Sequence, residues 1–358
     1  MVGFGPRRVG DGNPCFITFE AGPTHDGLES AMELATLAAK AKADAIKFQM
    51  VDPDRLVFDR KQTISFQILV DKKTNEVKTV EESLYEILCR RALTKDQWRK
   101  LKKHCDRLGL AFFATVGFED EIELLEELGC DSIKIASADV NHIPLIRRAA
   151  QSGMCMQLDT GNATIGEIEA TVDVIRAEGN ENIIIHHCPS GYPAHLDGIN
   201  LRCITTLKQM FPYPIAYSDH TPGWEMDLAA VALGANLVEK TISKDRTTPT
   251  IEHMMSIEPD DMAAFIKVIR DLETALGRTR RVMSPVEVER RAANRRSIHL
   301  VRDVKAGNNL TFDDFEYRRP GYGIPPSKAD FIVGQALCRA KRKGDRLEWT
   351  DLAAMELV

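Results

Sequence analysis

The stretch NIIIHHC, residues 182–188, is a short apolar run that ends in polar side chains. Three consecutive isoleucines between polar residues are typical of a strand buried on both faces. Seven other runs have the same design, namely CFITFE (15–20), ADAIKFQ (43–49), LAFFAT (110–115), SIKIAS (132–137), MCMQLD (154–159), PIAYSDH (214–220) and NLVEKT (236–241). Polar residues gathered at one end of many buried strands predict an active site on the C-terminal face of a barrel.

Helix-like segments separate most of these runs. Those with the clearest helical spacing are 28–42, 119–128, 143–152, 164–178, 201–211 and 259–276. Eight alternating strand and helix units predict an α/β fold, a closed (β/α)8 TIM barrel rather than an open sheet.

One connection is too long for a plain strand–helix unit, because about sixty residues separate Gln49 from Ala111. We expect a polar hairpin within residues 64–80, a helix around 82–90 and a second helix that begins after Thr94. An insertion on the catalytic face is often a substrate lid, and surface decoration is the alternative.

The length of 358 residues exceeds what one hydrophobic core usually serves, so more than one domain is expected. We predict a barrel domain over residues 1–280, a basic linker over 281–294 and a small β-rich domain over 295–358. The last segment has short alternating runs and turn signals such as KAGNN and GYGIPP.

The bulk composition excludes some functional classes. The formal net charge is −6, whereas a general nucleic-acid binder is normally basic. No apolar stretch reaches the roughly 18 residues that span a bilayer, and the first twelve residues lack a secretory h-region. We therefore predict a cytoplasmic protein without membrane or nucleic-acid partners. The eight cysteines show no CxxC pair and are expected to be reduced thiols.

Two lysines stand out because they lie on strands predicted to be buried. Lys47 and Lys134 each need an anionic partner there, since an unpaired buried charge is costly. Salt bridges to Glu20 or Glu239 would meet that need. A phosphate or carboxylate ligand is an alternative, and so is a Schiff-base lysine. The hydroxyl residues at neighbouring strand ends that would support an anion site are Thr115, Ser137 and Ser218.

The histidines offer acid–base or metal chemistry without a decisive spacing. His220 directly follows Asp219, so their side chains begin on opposite faces of the strand. A hydrogen-bonded core histidine, a metal ligand and an acid–base group all remain open for His220. Further candidates are His25, His187 and His253, but no HxH or HExxH spacing links them. Cys188 fits a buried inert thiol better than a nucleophile.

Seven motifs, in order along the chain, carry a family resemblance: EAGPTHDG (20–27), ADAIKFQ (43–49), DSIKIAS (131–137), HHCPSGYPA (186–194), YSDHTPG (217–223), ALGANLVEK (232–240) and SIEPDDM (256–262). Together they resemble the sialic acid synthase family, the phosphoenolpyruvate-dependent nonulosonate synthases. The segment from RRSIHLV (295–301) to KRKGD (341–345) resembles the C-terminal antifreeze-like (SAF) domain of those enzymes. The resemblance runs from about residue 15 to residue 351.

The resemblance implies a reaction and a set of partners. Such enzymes join phosphoenolpyruvate to the open-chain aldehyde of an amino sugar such as N-acetylmannosamine, giving a 3-deoxy-2-keto acid and inorganic phosphate. It also implies a divalent metal cofactor, Mn or Mg, as a Lewis acid. A homodimer with a swapped C-terminal domain is implied as well.

The resemblance assigns roles to particular residues. It implies that phosphoenolpyruvate is bound by Lys47, Thr115, Lys134, Ser137 and Ser218. It implies catalytic roles for Glu20, Asp139, His220 and Glu239. Sugar contacts are implied for Gln49, Thr79, Ser190, Tyr192, Glu252 and Arg319, the last reaching the sugar from the partner subunit. His220 is also the implied metal ligand, with His25 or His253 as substitutes for a missing second histidine.

Several departures from the family pattern concern the acceptor side. Thr241 stands where the family has a second metal-binding histidine. Asp159 replaces a phosphate-contacting serine, and a carboxylate there repels phosphate unless it is protonated, bonded to a cation or turned away. Because the main lysines are kept, we expect the donor to be phosphoenolpyruvate and the acceptor to differ from N-acetylmannosamine.

Two other functions compete with the synthase hypothesis. One is a Schiff-base aldolase that acts on a keto acid through Lys134 or Lys47. The other is a catalytically impaired homologue that binds sugar or phosphoenolpyruvate without turnover. Thr241 and Asp159 are the residues that favour the second alternative.

Overall fold

The computed structural model describes residues 1–353. The last five residues of the predicted 295–358 domain lie outside the described residues. The chain divides into two compact units, Met1–Gly277 and Arg278–Val358. The predicted boundaries at residues 280 and 294 stay predictions.

A closed barrel of eight parallel strands forms the centre of the first unit. The barrel strands are Phe16–Glu20, Ala45–Gln49, Ala111–Val116, Ser132–Ile135, Cys155–Asp159, Ile183–His187, Ile215–Asp219 and Leu237–Thr241. Each pairs with its neighbours in chain order, and the last strand pairs with the first. The predicted (β/α)8 barrel is confirmed.

Helices follow the strands and cover the outside of the barrel. They are Leu28–Ala41, Pro53–Leu56, Leu84–Arg91, Lys95–Leu108, Glu119–Glu127, Ile143–Gln151, Ile165–Ala177, Leu196–Ile199, Cys203–Met210, Glu225–Ala232 and Pro259–Leu276, with 3-10 turns at Ser137–Asp139 and His253–Met255. Their buried faces pack on outward strand residues such as Ile17, Ile46 and Ile133 in one large core. This layer is why the strands read as continuous apolar runs.

The barrel interior is apolar at its lower end. Inward side chains from seven strands form a layer that includes Phe16, Ala45, Phe113, Cys155, Ile184, Ala216 and Leu237. An antiparallel hairpin of strands Val2–Phe4 and Arg7–Val9 packs its apolar side chains into this layer. Phe4 contacts the rings of Phe16 and Phe113 at centroid distances of 4.9 Å and 5.4 Å. The hairpin therefore closes the end of the barrel opposite the strand C-termini.

The insertion between Gln49 and Ala111 has the predicted parts. Strands Thr63–Asp71 and Glu76–Ser83 form an antiparallel hairpin, and helices Leu84–Arg91 and Lys95–Leu108 follow it. Thr94 caps the second helix in a capping box with Gln97, which satisfies two free backbone N–H groups. The helix ends where Gly109 takes a left-handed φ of 66°.

The second unit begins with helix Pro285–Asn294, so the segment predicted as a linker is mostly helical. Ser284 caps that helix through a capping box with Glu287. Strands Ser297–Leu300 and Phe315–Arg318 pair in antiparallel fashion, and short helical turns occur at Phe312–Asp314, Pro326–Lys328, Ala329–Ile332 and Trp349–Asp351. A separate small core holds them together through Ile298, Leu310, Ile324, Ile332 and Leu347.

Within residues 1–353, no helix combines the length and the apolar character that a membrane crossing requires. All eight cysteines lie in this range and are free thiols, as predicted. The cytoplasmic location stays a prediction.

We expect the substitution Phe4→Ala to destabilise the barrel by about 3–5 kcal/mol, because it leaves a cavity among packed aromatic rings. Phe4 is only 1% exposed, whereas Phe58 is fully exposed and gives the matched control Phe58→Ala. Urea unfolding of both variants measures the difference. A loss below about 1 kcal/mol for Phe4→Ala would show that the hairpin does not close the barrel.

Candidate active site

The inward side chains change from apolar to polar towards the C-terminal ends of the strands. Alternation along each strand points one residue in two into the barrel. The polar inward residues form a buried set that we call the inner cluster: Glu20, Lys47, Lys134, Asp159, His186, Ser218 and Glu239. These residues come from seven different strands, so only barrel closure brings them together.

The carboxylate of Glu239 links the two lysines of the inner cluster. Lys47 Nζ lies 2.7 Å from Glu239 Oε1, and Lys134 Nζ lies 2.7 Å from Glu239 Oε2. Lys47 also lies 2.8 Å from Glu20 Oε2, but without the alignment of a hydrogen bond. That oxygen therefore keeps a lone pair for another partner.

Lys134 is completely buried and has further partners. Its ammonium lies 2.9 Å from Asp159 Oδ1 and donates to Ser218 Oγ at 3.2 Å. Burial works against its charge, but Asp159 and Glu239 outweigh it and raise the pKa of Lys134. The Asp159 carboxylate is thus bonded to a cation, one of the conditions under which it does not repel a phosphate.

His186 is held in one neutral form. Its Nε2 donates to Gln157 Oε1 at 2.8 Å, and its Nδ1 lies 3.1 Å from the Lys134 ammonium, from which it accepts. Burial, and then the charge of Lys134, lower the pKa of His186 to about 3. The histidine therefore positions Lys134 and does not act as a cation.

A cavity of about 400 Å³ opens above the inner cluster at the C-terminal ends of the strands, and we call it the mouth cavity. Its lining includes Glu20, Lys47, Gln49, Arg91, Thr115, Ser137, Asp139, Asp159, Tyr192, His220, Glu239 and Glu252. Gly22 allows close packing at its edge, because a Cβ there would lie 2.5 Å from Glu20 Oε1. Instead, the Gly22 N–H donates to that oxygen at 2.8 Å.

Two carboxyl groups of the mouth cavity have raised pKa values. Burial raises the pKa of Asp139, and the nearby His142 opposes that effect. Burial also raises the pKa of Glu252, against the charges of His220 and Arg91. Such groups exchange protons closer to neutral pH than ordinary carboxyls do.

The structure brings most of the sequence-predicted residues together. Ten line the mouth cavity: Glu20, Lys47, Gln49, Thr115, Ser137, Asp139, Tyr192, His220, Glu239 and Glu252. Lys134 and Ser218 lie in the inner cluster below it. Thr241 is buried beside the cavity, and its hydroxyl donates to Glu252 Oε2 at 3.5 Å.

Other predicted residues lie elsewhere. Thr79 is exposed on the insertion hairpin, opposite Gln67. Ser190 is exposed and donates to Asn162 Oδ1 at 2.8 Å, outside the lining of the mouth cavity. His187 points outward, with its Nε2 on the carbonyl oxygen of Ile199. Arg319 is an exposed residue of the second unit.

The donor atoms do not fit the two-histidine metal site that the resemblance implies. His220 Nδ1 donates to the carbonyl oxygen of Pro189 at 3.1 Å, which leaves Nε2 as a possible ligand. His25 and His253 line a different cavity and not the mouth cavity. Among residues 1–353, no group of three His, Cys, Asp or Glu side chains is arranged to hold an ion.

The sequence motifs did not single out three functional residues. His186, and not the neighbouring candidate His187, points into the barrel. The signal for this is that His186 shares the inward alternation with Ile184 and Cys188. Gln157 lies two residues before Asp159 on the same strand, so its side chain also points into the barrel. Arg91 lies in the insertion, where no periodic signal relates it to the barrel. Only the folded insertion places it at the cavity.

A second ionic group lies on the outer face of the last two strands. Lys240 contacts the carboxylate of Asp219 and lies 3.7 Å from Asp227 Oδ2. Tyr217 donates to Asp219 Oδ1 at 3.0 Å. Asp219 and His220 thus face opposite sides of the strand, and Asp219 has a structural role.

Comparison with known proteins identifies the family. The NeuB family matches residues 34–281, and the SAF domain matches residues 295–353. The chain belongs to the NeuB family. The predicted likeness to sialic acid synthases and to their SAF domain is confirmed, and members of the family are enzymes of the sialic acid synthase type.

Individual members of the NeuB family differ in their named products. The N,N'-diacetyllegionaminic acid synthase of Legionella pneumophila is 33% identical over 98% of both chains. The N-acetylneuraminate-9-phosphate synthase of Homo sapiens is 29% identical over 95% of this chain and 93% of that protein. The crystal structure of N-acetylneuraminic acid synthetase from Leptospira borgpetersenii, in complex with citrate, has a TM-score of 0.70 at 32% identity. The match covers 80% of this chain and 94% of the chain from Leptospira borgpetersenii.

We expect Glu239→Gln to destabilise the protein by about 3–5 kcal/mol at pH 7, because two buried lysines lose their shared carboxylate. Burial opposes the charge of Glu239, but Lys134 and Lys47 hold its pKa below the ordinary 4.5. Its stabilisation is present above pH 4.5 and is lost as the pH falls through the lower folded value. The gap between wild type and variant should therefore narrow on acidification.

Urea unfolding at pH 7 and at pH 3.5 measures that gap. Glu169→Gln, at an exposed position on helix Ile165–Ala177, is the matched control and should change stability by less than about 0.5 kcal/mol at either pH. An equal gap for Glu239→Gln at both pH values would contradict the ionic role of Glu239.

Proposed function

We propose that the protein condenses phosphoenolpyruvate with an open-chain aldose, giving a 3-deoxy-2-keto acid of the nonulosonate type and inorganic phosphate. The observation that carries this proposal is the pair Lys47 and Lys134, which Glu239 bridges. Lys47 lines the mouth cavity, and Lys134 lies directly below it in the inner cluster. Family membership supports the reaction class.

Phosphoenolpyruvate binds over the inner cluster. Lys47 and Lys134 are the cations for its phosphate and carboxylate groups, and Thr115 and Ser137 supply hydroxyl donors from the cavity wall. Ser218 bonds both Lys134 and Asp159, so it holds the lysine in position from below. When the ligand binds, its oxygens replace part of the carboxylate contacts of the lysines.

The condensation needs one new carbon–carbon bond and one water molecule. The C3 carbon of phosphoenolpyruvate attacks the aldehyde carbon, and the aldehyde oxygen takes up a proton. Water then adds to C2, and the bond from C2 to the phosphate oxygen breaks to leave the keto acid and inorganic phosphate. The structural requirements are therefore a proton donor near the aldehyde and a base near the water.

Different carboxyl groups of the mouth cavity serve as the proton donor and as the base. Asp139 and Glu252 have raised pKa values because they are buried, and they are suited to donate a proton to the aldehyde oxygen. Glu20 stays beside Lys47 and has one oxygen without a hydrogen-bond partner among residues 1–353. Glu20 is therefore suited to accept a proton from water.

The acceptor side supports an aldose other than N-acetylmannosamine. Gln49, Tyr192 and Glu252 line the mouth cavity where a sugar would extend from its aldehyde. The Tyr192 ring lies 4.7 Å from the His220 ring and covers this end of the cavity. Relatives named for legionaminic, pseudaminic and N-acetylneuraminic acids support a family in which the acceptor varies.

The Schiff-base alternative is less well supported. An imine-forming lysine attacks as a neutral amine, which a lowered pKa favours. Lys134 has a raised pKa and two carboxylate partners, so it is held as a cation. For the impaired homologue, the supporting observation remains the lack of a preformed metal site among the described residues.

The proposal includes a homodimer, in which the second unit of one subunit serves the barrel of the other. Arg319 is the residue that would reach the sugar, and it is exposed without an ion pair within the part of the chain that the structure describes. A cytoplasmic site of action is proposed with it.

We expect Lys134→Met to lower the rate of phosphate release from phosphoenolpyruvate at least about a thousandfold, because the phosphoryl oxygens lose their buried cation. The assay measures inorganic phosphate with a panel of aldoses. Lys103→Met, at an exposed position of helix Lys95–Leu108, is the control and should keep wild-type activity. A thermal melt shows whether each variant is folded.

Two results would contradict the proposal. One is phosphate release by folded Lys134→Met at the wild-type rate. The other is covalent trapping of a keto acid on wild-type enzyme by borohydride, which would establish an imine and favour the aldolase.

We expect Thr241→His to raise the affinity for Mn²⁺ at least about tenfold, because a second imidazole would join His220 beside Glu252. Calorimetric titration with Mn²⁺ measures this without turnover. Thr241→Val, which keeps the size but adds no ligand, is the matched control and should show no gain. Tight binding by the wild type, unchanged in both variants, would show that metal binds elsewhere.

A further inference from the structure

Arg91 is a buried cation without an ion pair among residues 1–353. It ends helix Leu84–Arg91 of the insertion and is only 8% exposed. Its Nε donates to the carbonyl oxygen of Ile87 at 3.3 Å, and no carboxylate within residues 1–353 lies within ion-pair distance. Burial opposes the charge of the guanidinium, but arginine stays protonated in proteins. An unpaired buried charge is costly, so an anionic ligand group beside the Arg91 guanidinium would stabilise it.

Arg91 stands in the wall between two cavities. One is the mouth cavity. The other, which we call the side cavity, has a volume of about 390 Å³ and is lined by residues of the insertion and of the loops after the first and last barrel strands. A ligand that starts at the inner cluster can therefore meet Arg91 from the mouth cavity and extend towards the side cavity.

The two cavities differ in charge. The lining of the mouth cavity has five carboxyl groups against the two cations Lys47 and Arg91. The lining of the side cavity has the three cations Arg90, Arg91 and Lys244 against Asp26 and Glu82. Arg90 is paired with Glu82 and Lys244 with Glu33, so Arg91 is the cation of this lining without an ion pair among residues 1–353. A second anionic group on a substrate therefore finds its unpaired cation at Arg91, where the mouth cavity meets the side cavity wall.

His25 adds an unused hydrogen-bond donor to the side cavity wall. It is 3% exposed, and its Nδ1 accepts from the Gly27 N–H at 3.3 Å. In the neutral ring the proton is then on Nε2, which has no hydrogen-bond partner among the described residues. Burial, and then the charge of Arg91, lower the pKa of His25 to about 4. A buried donor without a partner is a second sign that a ligand oxygen belongs here.

We propose that Arg91 and the side cavity form an anion subsite, which binds a phosphate or carboxylate group at the end of the acceptor aldose remote from its aldehyde. This inference rests on the proposed condensation, since it requires the aldehyde end to lie over the inner cluster. Phosphoenolpyruvate is not the ligand of this subsite, because its own anionic groups are assigned to Lys47 and Lys134. Arg91 then determines which acceptors are used.

The test compares acceptors that differ only at the remote carbon: N-acetylmannosamine, its 6-phosphate and the corresponding 6-carboxylate, N-acetylmannosaminuronate. We expect at least one anionic acceptor to exceed the neutral sugar in kcat/KM by about tenfold or more, because a guanidinium–anion contact is charge-assisted. The anionic acceptor with the higher kcat/KM shows whether phosphate or carboxylate is the preferred group. In Arg91→Met that preference should disappear, and in Arg91→Lys part of it should remain.

Arg107→Gln is the matched control, because Arg107 is an exposed arginine of the next helix and has no ion pair within residues 1–353. It should keep the full preference. Thermal melts of all variants show that they are folded. An equal efficiency with neutral and anionic acceptors in the wild type, or a preference unchanged in Arg91→Met, would overturn the inference.

Calorimetric titration with the three acceptors, without phosphoenolpyruvate, separates this inference from the proposed function. If no acceptor supports phosphate release, condensation with these three sugars is wrong, yet binding of an anionic sugar that is lost in Arg91→Met still supports the subsite. If the neutral sugar binds as tightly as both anionic ones, the subsite is wrong even when the condensation proceeds.

Discussion

The carboxylate of Glu239 neutralises two buried lysines, and the polar interior of the barrel depends on this contact. Its two oxygens each lie 2.7 Å from an ammonium group, that of Lys47 on the second strand and that of Lys134 on the fourth. Because both lysines are buried, either one without a carboxylate partner would carry a large desolvation penalty. The bridge also crosses the lumen, so it requires the strands to keep their register, because a slip by one residue would turn a lysine outward.

The same alternation directs two neighbouring charged residues of one strand to different ionic groups. Glu239 points inward to the two lysines, whereas its neighbour Lys240 points outward to Asp219 and Asp227. The apolar floor and the N-terminal hairpin close the lower end of the barrel. Polar chemistry is therefore confined to the mouth, where a ligand can reach it.

The acceptor side has a different distribution of charge from the pattern of the family. Asp159 does not face the donor site as a free anion, because Lys134 and Ser218 hold it. Thr241 donates to Glu252 in place of a metal-binding imidazole. The additional cation, Arg91, comes from helix Leu84–Arg91 of the insertion and not from a barrel strand. Under the proposed function, a change of acceptor specificity would need few changes in the barrel itself.

Local pattern determined much of this protein in advance. Eight apolar runs with polar ends determined the barrel, its strand ends and the two buried lysines, because burial on both faces leaves a signal in every strand. Thr94 likewise placed the start of a helix correctly, since capping is a local interaction. Only the tertiary structure decided that His186 rather than His187 joins the lysines, and that Thr79 and Ser190 do not line the cavity. It also decided that Arg91 is a buried cation at the mouth. These facts depend on barrel closure and on how the insertion folds over it, and contacts between residues so far apart in the chain leave no periodic trace in the sequence.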